Sequence, residues 1–394
     1  MDNKINIILF DDQNRDNLLP LVFTRPVAEL RIGISTIKEK WELICPSECS
    51  YQTVNYLAKK YPMKLEKNNL FINSCLIPDD RLINEMITLK SGGVIQKDGV
   101  ILGYKASEPM HFNKSFVGIN EYQYNILFIR NLWDIFTLND KVLRDDFVRI
   151  TRGRKTKTLS QTNKVLGAEN IFIEDGAKVE CSIINAESGP VYIGRNAEIM
   201  EGNIIRGPLA MCENSVLKMG SKIYGAVTIG PYCKVGGEIN NSVFTANSNK
   251  AHDGFIGNSV IGEWCNLGAG TSNSNLKNNY AKVKLWNYSS EKFINTGLQF
   301  CGLIMGDHSK CGINTMFNTG TIVGVSANIY GSGFPRNFIP SFSWGGAQGF
   351  MDYQPEKAIE TAEIVMSRRG TVLSETDTEI LKTVFDLTRN YRKF

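Results

Sequence analysis

From about Gly167 to Tyr330 an aliphatic residue recurs on a six-residue period, often followed by glycine and, three places later, by a small residue. Ile193-Gly194 with Ala197, Ile229-Gly230 with Cys233, Ile261-Gly262 with Cys265 and Val323-Gly324 with Ala327 all keep this phase, and Leu267-Gly268 opens the run Gly268-Ala269-Gly270. A period of six over so many units predicts a solenoid of short strands stacked into a triangular prism. The aliphatic residue points inward, where neighbouring coils bury it, and the glycine and small residue permit tight corners. A glycine-rich β-sandwich has no reason to hold that phase. Three segments depart from it, Phe244 to Phe255, Ser272 to Phe300 and Gly331 to Gly349, and are expected to leave the prism as loops or tails. Insertions on one face of a solenoid commonly build its binding site.

The first half reads differently. Ile5 to Phe10 suits a buried strand, and Leu70 to Asn73 and Gly99 to Tyr104 suit short strands. Thr36 to Leu43, Cys49 to Tyr61 and Asn131 to Val148 read as helices, and Thr151 to Lys164 as a polar linker. After the solenoid, two amphipathic helices are expected. One runs from near Pro355 to near Gly370 with Arg368 and Arg369 in its last turn, and the other is capped by Thr376 with Glu379. The domain expectation is an α/β domain over 1–150, a linker over 151–166, the β-helix over 167–349 and a helical tail over 350–394.

Composition adds exclusions. The length of 394 residues favours two domains, and 42% hydrophobic with 21% charged residues is ordinary globular composition. A net charge of +4, with no basic stripe carrying interleaved aromatics, argues against a nucleic-acid partner. No apolar run is long enough for a bilayer, and no leader precedes the first strand, so membrane attachment is not expected and the reading is cytoplasmic. The nine cysteines lack paired zinc spacing and read as core thiols of a reducing compartment. His111, His252 and His308 are too dissimilar in setting to be the three ligands of a γ-type carbonic anhydrase.

Chemistry concentrates around His252. Downstream of it come Asn266, the backbone-rich run Gly268 to Thr271, then Asn273, Asn275 and Asn278-Asn279. A base, amides to hold a sugar and backbone donors for an oxyanion suit acyl transfer. Glu238, fourteen residues earlier, is placed to sit under His252 on the preceding coil and to orient the imidazole.

The stretch Lys250 to Thr271 followed by Asn275 resembles the acetyltransferase motif of the bifunctional glucosamine-1-phosphate acetyltransferase/N-acetylglucosamine-1-phosphate uridylyltransferase family, and the whole chain resembles a shorter bacterial variant of it. The resemblance implies a left-handed parallel β-helix, a homotrimer, and acetyl-CoA bound between neighbouring subunits. By motif position it makes His252 the general base and Glu238 its orienting carboxylate. It makes Asn266 and Asn275 sugar contacts and gives Ala269 the backbone N–H that faces the thioester carbonyl. The motif departs from the family at Phe255, where a tyrosine is usual, and at Asn240 and Asn241, where lysines are usual. Fewer groups for the acceptor's phosphate then remain, with Lys222 near one family position and Lys250, Lys277 or Lys282 as substitutes.

The first half resembles a nucleotidyltransferase whose glycine-rich loop is missing between Phe10 and Arg15. Arg15 and Arg25 are the candidates for gripping nucleotide phosphates, with surface charge as the competing reading. Asp11 and Asp12 are candidates for Mg²⁺, although the metal ligands as a set stay unknown. The functional expectation is amino-sugar nucleotide synthesis. Acetyl would pass from acetyl-CoA to glucosamine-1-phosphate or a similar amino-sugar phosphate, and nucleotidyl transfer to the sugar-1-phosphate would accompany it. Two alternatives stay open: a sugar-1-phosphate nucleotidyltransferase alone, using UTP or dTTP, and a non-catalytic trimeric scaffold.

Overall fold

A computed structural model describes residues 5–45, 47–110 and 118–394. His111, one of the three histidines weighed above, lies outside them. The chain forms two compact units. The first comprises 1–18, 24–30 and 35–131, and the second comprises 19–23, 31–34 and 132–394.

The first unit is built on a six-stranded mixed sheet. Strand Asn6–Phe10 lies between Cys49–Gln52 and Asn69–Asn73, parallel to both, and Val100–Ala106 pairs antiparallel with the latter. Asn6–Phe10 and Asn69–Asn73 lie inside the sheet with parallel pairing, which explains their continuous apolar runs, because such strands are buried on both faces. Ile8, Phe10, Phe71 and Tyr104 form one cluster, with the Phe71 and Tyr104 rings stacked 4.6 Å apart. The helix expected from Thr36 is Ile37–Ile44, and Thr36 with Glu39 makes a capping box at its start. The helix expected over Cys49 to Tyr61 is not there. Cys49–Gln52 is a strand followed by the short helix Asn55–Ala58. Pairing to the first strand overrides the local propensity of this stretch.

The second unit is a parallel β-solenoid with three faces. Face I stacks Lys164–Leu166, Ile183–Asn185, Ile204–Arg206, Lys222–Tyr224, Glu238–Asn240 and Phe255–Gly257. Face II runs from Ile171–Ile173 to Phe338–Ile339, and face III from Lys178–Val179 to Ser343–Gly346. Inward residues stack in register through the prism. On face III they are Val179, Ile199, Leu217, Val235, Lys250, Leu267, Cys311 and Ile329. Each buried aliphatic member of such a ladder contributes about 1.5–3 kcal/mol. Corner positions are held by residues at positive φ, among them Asn196, Asn214, Tyr232, Asn247 and Trp264. Asparagine tolerates that conformation better than most residues. Gly230 is required for a different reason, since a Cβ there would collide with the Thr245 carbonyl oxygen of the next coil.

Two of the expected departures are corrected. Phe244 to Phe255 does not leave the prism, because Val243–Phe244, Asn249–Lys250 and Phe255–Gly257 continue faces II, III and I. Its inward positions are polar but satisfied: Ser248 Oγ donates to the Gly262 carbonyl at 2.7 Å, and Lys250 is bonded as described below. From Gly331 to Gly349 only the residues before Phe338 leave the coil, and Gly349–Asp352 folds back antiparallel on Ser343–Gly346. The remaining excursion follows Ser272-Asn273, which still pair with Met316-Phe317, and carries the hairpin Lys284–Asn287/Lys292–Asn295. The helix Asn139–Thr151 packs Leu143 on the outward Phe172, Tyr192 and Ala210 of face II. The tail forms helices Pro355–Ser367 and Glu375–Leu387, the second capped by Ser374 with Asp377 rather than by Thr376 with Glu379.

Candidate functional site

Three successive coils meet at the corner between faces III and I, at Gly236-Gly237, at Ala251 to Gly254 and at Gly268 to Thr271. They are tied by backbone bonds, Glu238 N–H to the Gly254 carbonyl at 3.1 Å and Gly270 N–H to the Asp253 carbonyl at 3.0 Å. His252 stands on the middle coil, exposed, and its ring has no hydrogen-bond partner among the described residues. Gly254 next to it has φ +122° and would bring a Cβ against the Thr271 carbonyl, so the loop needs glycine there.

Lys250 fixes this loop from inside. It occupies an inward position that is aliphatic or Cys on the other coils, and it is 0% exposed. Its ammonium donates to the Asp253 carbonyl at 2.8 Å, to the His252 carbonyl, and more distantly to the Gly236 carbonyl at 3.5 Å. Burial pushes its pKa down to about 8. The expectation that Lys250 grips a substrate phosphate is therefore corrected, since it faces the core and holds the backbone of the His252 loop. Asn273 is also spent internally, exchanging bonds with both backbone groups of Gly257 and being 3% exposed.

Glu238 sits on the coil before His252, in register with Phe255. Its carboxylate accepts from the Tyr224 hydroxyl at 2.7 Å and lies 3.9 Å from the Lys222 ammonium. No hydrogen bond joins it to His252 within the described residues. Burial and the Glu238 contact raise the Tyr224 hydroxyl to about 12, so it remains a donor. Lys222 is exposed and forms part of this outward row on face I.

Ala269 lies in the turn bonded to the His252 loop, and its N–H has no partner among the described residues. Asn266 is exposed on face III just before the corner, with its amide oxygen 3.4 Å from the Asn249 amide nitrogen. Asn275 lies past the corner and donates to the Asn258 amide oxygen at 2.8 Å. The fold thus gathers His252, Ala269 and Glu238 at one corner, flanked by Asn266 and Asn275. Trp264, beside Asn266 on face III, is 7% exposed, covered by Arg369 and stacked on His308.

In the first unit the chain turns at Asp11 after the strand Asn6–Phe10. The Asp11 carboxylate accepts from the Thr53 hydroxyl at 2.6 Å and from the Val27 N–H at 3.1 Å, and burial raises its pKa. Asp12 accepts from the Asn14 N–H and the Asn73 amide. Arg15 is 5% exposed, its Nε 3.7 Å from Asp11 and its Nη2 donating to the Tyr56 hydroxyl at 3.0 Å. Arg25 is 7% exposed and also engaged. A phosphate would have to displace these partners. No group of three or more His, Cys, Asp or Glu that could hold a metal occurs among the described residues.

Two features escaped the sequence reading. Tyr224 alternates with Lys222 on the outward side of its strand, a period-two signal that pointed to it. Arg369 read only as a last-turn helix cation, and nothing local signalled that it meets Lys310 on face III.

The fold defines a hexapeptide-type parallel solenoid joined to an α/β unit. Residues 7–155 match the family model for sugar nucleotidyl transferase. Among curated proteins, the chain is 29% identical over 160 residues to the bifunctional sugar-1-phosphate nucleotidylyltransferase/acetyltransferase of Sulfurisphaera tokodaii, covering 40% of this chain and 37% of that one. It is 36% identical over 87 residues to the bifunctional protein GlmU of Methanocaldococcus jannaschii, covering 22% of this chain and 21% of that one. The chain therefore spans well under half the length of these relatives. The solved Francisella novicida UDP-N-acetylglucosamine acyltransferase aligns over 60% of this chain and 76% of its own, at 11% identity and a TM-score of 0.29. The resemblance to the bifunctional nucleotidyltransferase/acetyltransferase family is borne out by the sugar nucleotidyl transferase match over residues 7–155 and by the similarity to these two bifunctional relatives.

Proposed function

We propose that the solenoid transfers an acetyl group from acetyl-CoA to the amine of an amino-sugar phosphate such as glucosamine-1-phosphate, with His252 as general base. The supporting observation is an exposed, unpartnered imidazole on a loop that Lys250 and Gly254 hold rigid, bonded to the turn that leaves the Ala269 N–H free. The amine nitrogen bonds to the thioester carbonyl carbon as its proton passes to the imidazole. The Ala269 N–H stabilises the oxyanion, the C–S bond breaks, and the coenzyme thiolate leaves with the proton. Asn266 and Asn275 hold the sugar. Glu238, the orienting carboxylate implied by motif position, is held by Tyr224 and Lys222 instead of His252, so the imidazole acts here without it. The working form is a homotrimer with the coenzyme between subunits. The nine cysteines are free thiols, in keeping with a cytoplasmic setting.

The first unit carries the second reading, favoured by its family match: transfer of a nucleotidyl group from UTP or dTTP to a sugar-1-phosphate. The Asp11 and Asp12 oxygens are committed to Thr53, Val27, Asn14 and Asn73, so they do not assemble a Mg²⁺ donor set.

The test is His252→Ala in an acetyl-transfer assay with glucosamine-1-phosphate. The expected loss in kcat is about 10²–10⁴-fold with KM little changed, since a base acts in the transition state. Near-wild-type turnover in that variant removes His252 from the role of base.

A further inference from the structure

On the outside of face III the end of helix Pro355–Ser367 closes a cavity of about 450 Å³, within the range of small-ligand sites. Its lining includes Lys234, Lys310, Arg368 and Arg369 beside the amides of Asn249 and Asn266, and no carboxylate. Basic residues at a helix C-terminus ordinarily offset its carbonyl dipoles. That does not account for Arg369, whose Nη1 donates to the Tyr232 carbonyl and Nη2 to the Asn249 amide oxygen, both at 2.7 Å, on the solenoid side. Lys310 donates to the His308 carbonyl at 2.8 Å, and burial lowers its pKa to about 8. Lys234 and Arg368 are exposed and have no partner among the described residues. Four cations gathered without an acid repel one another, and burial strips hydration from Lys310 and Arg369, which an anion would relieve.

The position of the cavity says which anion. Asn249 lies three residues before His252 on the same strand-to-loop run, so at most about 10 Å of chain separates them. Asn266, on the next coil, opens into the cavity and flanks the same corner. We infer that this cavity holds the phosphate monoester of the amino-sugar acceptor while the amine reaches His252. The inference rests on the acetyl-transfer reading. It accounts for the lack of phosphate ligands at Phe255, Asn240 and Lys250, because the cations come from the C-terminal helix and face III instead.

The double variant Lys234→Gln/Arg368→Gln removes the two cations that hold nothing else in place, so folding is preserved. In steady-state acetyl transfer the KM for glucosamine-1-phosphate is expected to rise at least tenfold, with kcat within about twofold and the KM for acetyl-CoA unchanged. An unchanged acceptor KM overturns the proposal, as does a rise confined to acetyl-CoA, which would assign the cations to the coenzyme. Calorimetry without acetyl-CoA separates this from the catalytic reading. Wild type should bind glucosamine-1-phosphate more tightly than glucosamine or inorganic phosphate, and the double variant should lose that preference. If the preference holds but no acetyl is transferred, the pocket stands and the catalytic reading falls. Wild type that transfers acetyl yet binds glucosamine equally well leaves the catalytic reading and overturns the pocket.

Discussion

Replacing Lys250 by methionine tests the loop that carries His252. Methionine matches the length of the lysine stem and suits an apolar ladder, so the core stays filled. Two effects oppose each other. The carbonyls of His252 and Asp253 lose a charged donor, about 1–3 kcal/mol for each bond left unmade. Against this, the wild type bears the cost of a buried ammonium. A pKa depressed from 10.5 to about 8 corresponds to about 3 kcal/mol at pH values below 8. The sign follows from proton counting. Between pH 8 and 10.5 the unfolded chain binds a proton that the folded chain has released, so wild-type stability rises with pH across that window. Methionine does not titrate there. At pH 7 the variant should therefore lie within about 3 kcal/mol of the wild type. The difference in Tm should then move in favour of the wild type by about 3–4 °C between pH 7.5 and 10. Lys310 has a similarly lowered pKa, but it is present in both proteins and cancels in the difference. Acetyl transfer at pH 7.5 should fall about 10–100-fold in kcat with KM little changed, because a loop freed by about 1 Å misplaces the imidazole. Parallel Tm–pH curves for the two proteins would refute the assignment of Lys250 as a buried, titrating brace.

Arg15→Met leaves Asp11 buried without its cation and should destabilise the protein by about 3–5 kcal/mol. Thermal unfolding at wild-type temperature would show that the Arg15–Asp11 pair does not brace the fold. Face I exposes Ile183 at 46% and Ile204 at 54%, in register one above the other. Sedimentation at micromolar concentration should show a trimer that Ile204→Asp weakens at least tenfold, and a monomeric wild type would count against a coenzyme site between subunits.

Much of this protein is legible without coordinates because a solenoid is a local object. Ile193, Ile229, Ile261 and Val323 repeat their phase, each coil buries what its neighbour leaves exposed, and the sequence period is the structural period. The corner that carries His252 shares this advantage. His252, Ala269 and Glu238 sit at one corner because the chain between them measures whole coils. Where the period held but residue type changed, sequence reading failed: Ser248 and Lys250 are polar, so their stretch read as a loop although it is a coil. Only the folded interior shows that the Lys250 ammonium meets the carbonyls of its own loop and turns inward rather than toward a substrate. Cys49–Gln52 became a strand for a similar reason, since its partner lies some forty residues earlier. Arg15 shows the same limit, its burial being set by Asp11 and Tyr56 together. The cavity on face III depended most on tertiary structure. Lys234, Lys310 and Arg369 are far apart in the chain, and no local pattern records that a C-terminal helix returns to bring their charges together, because long-range packing alone sets that approach.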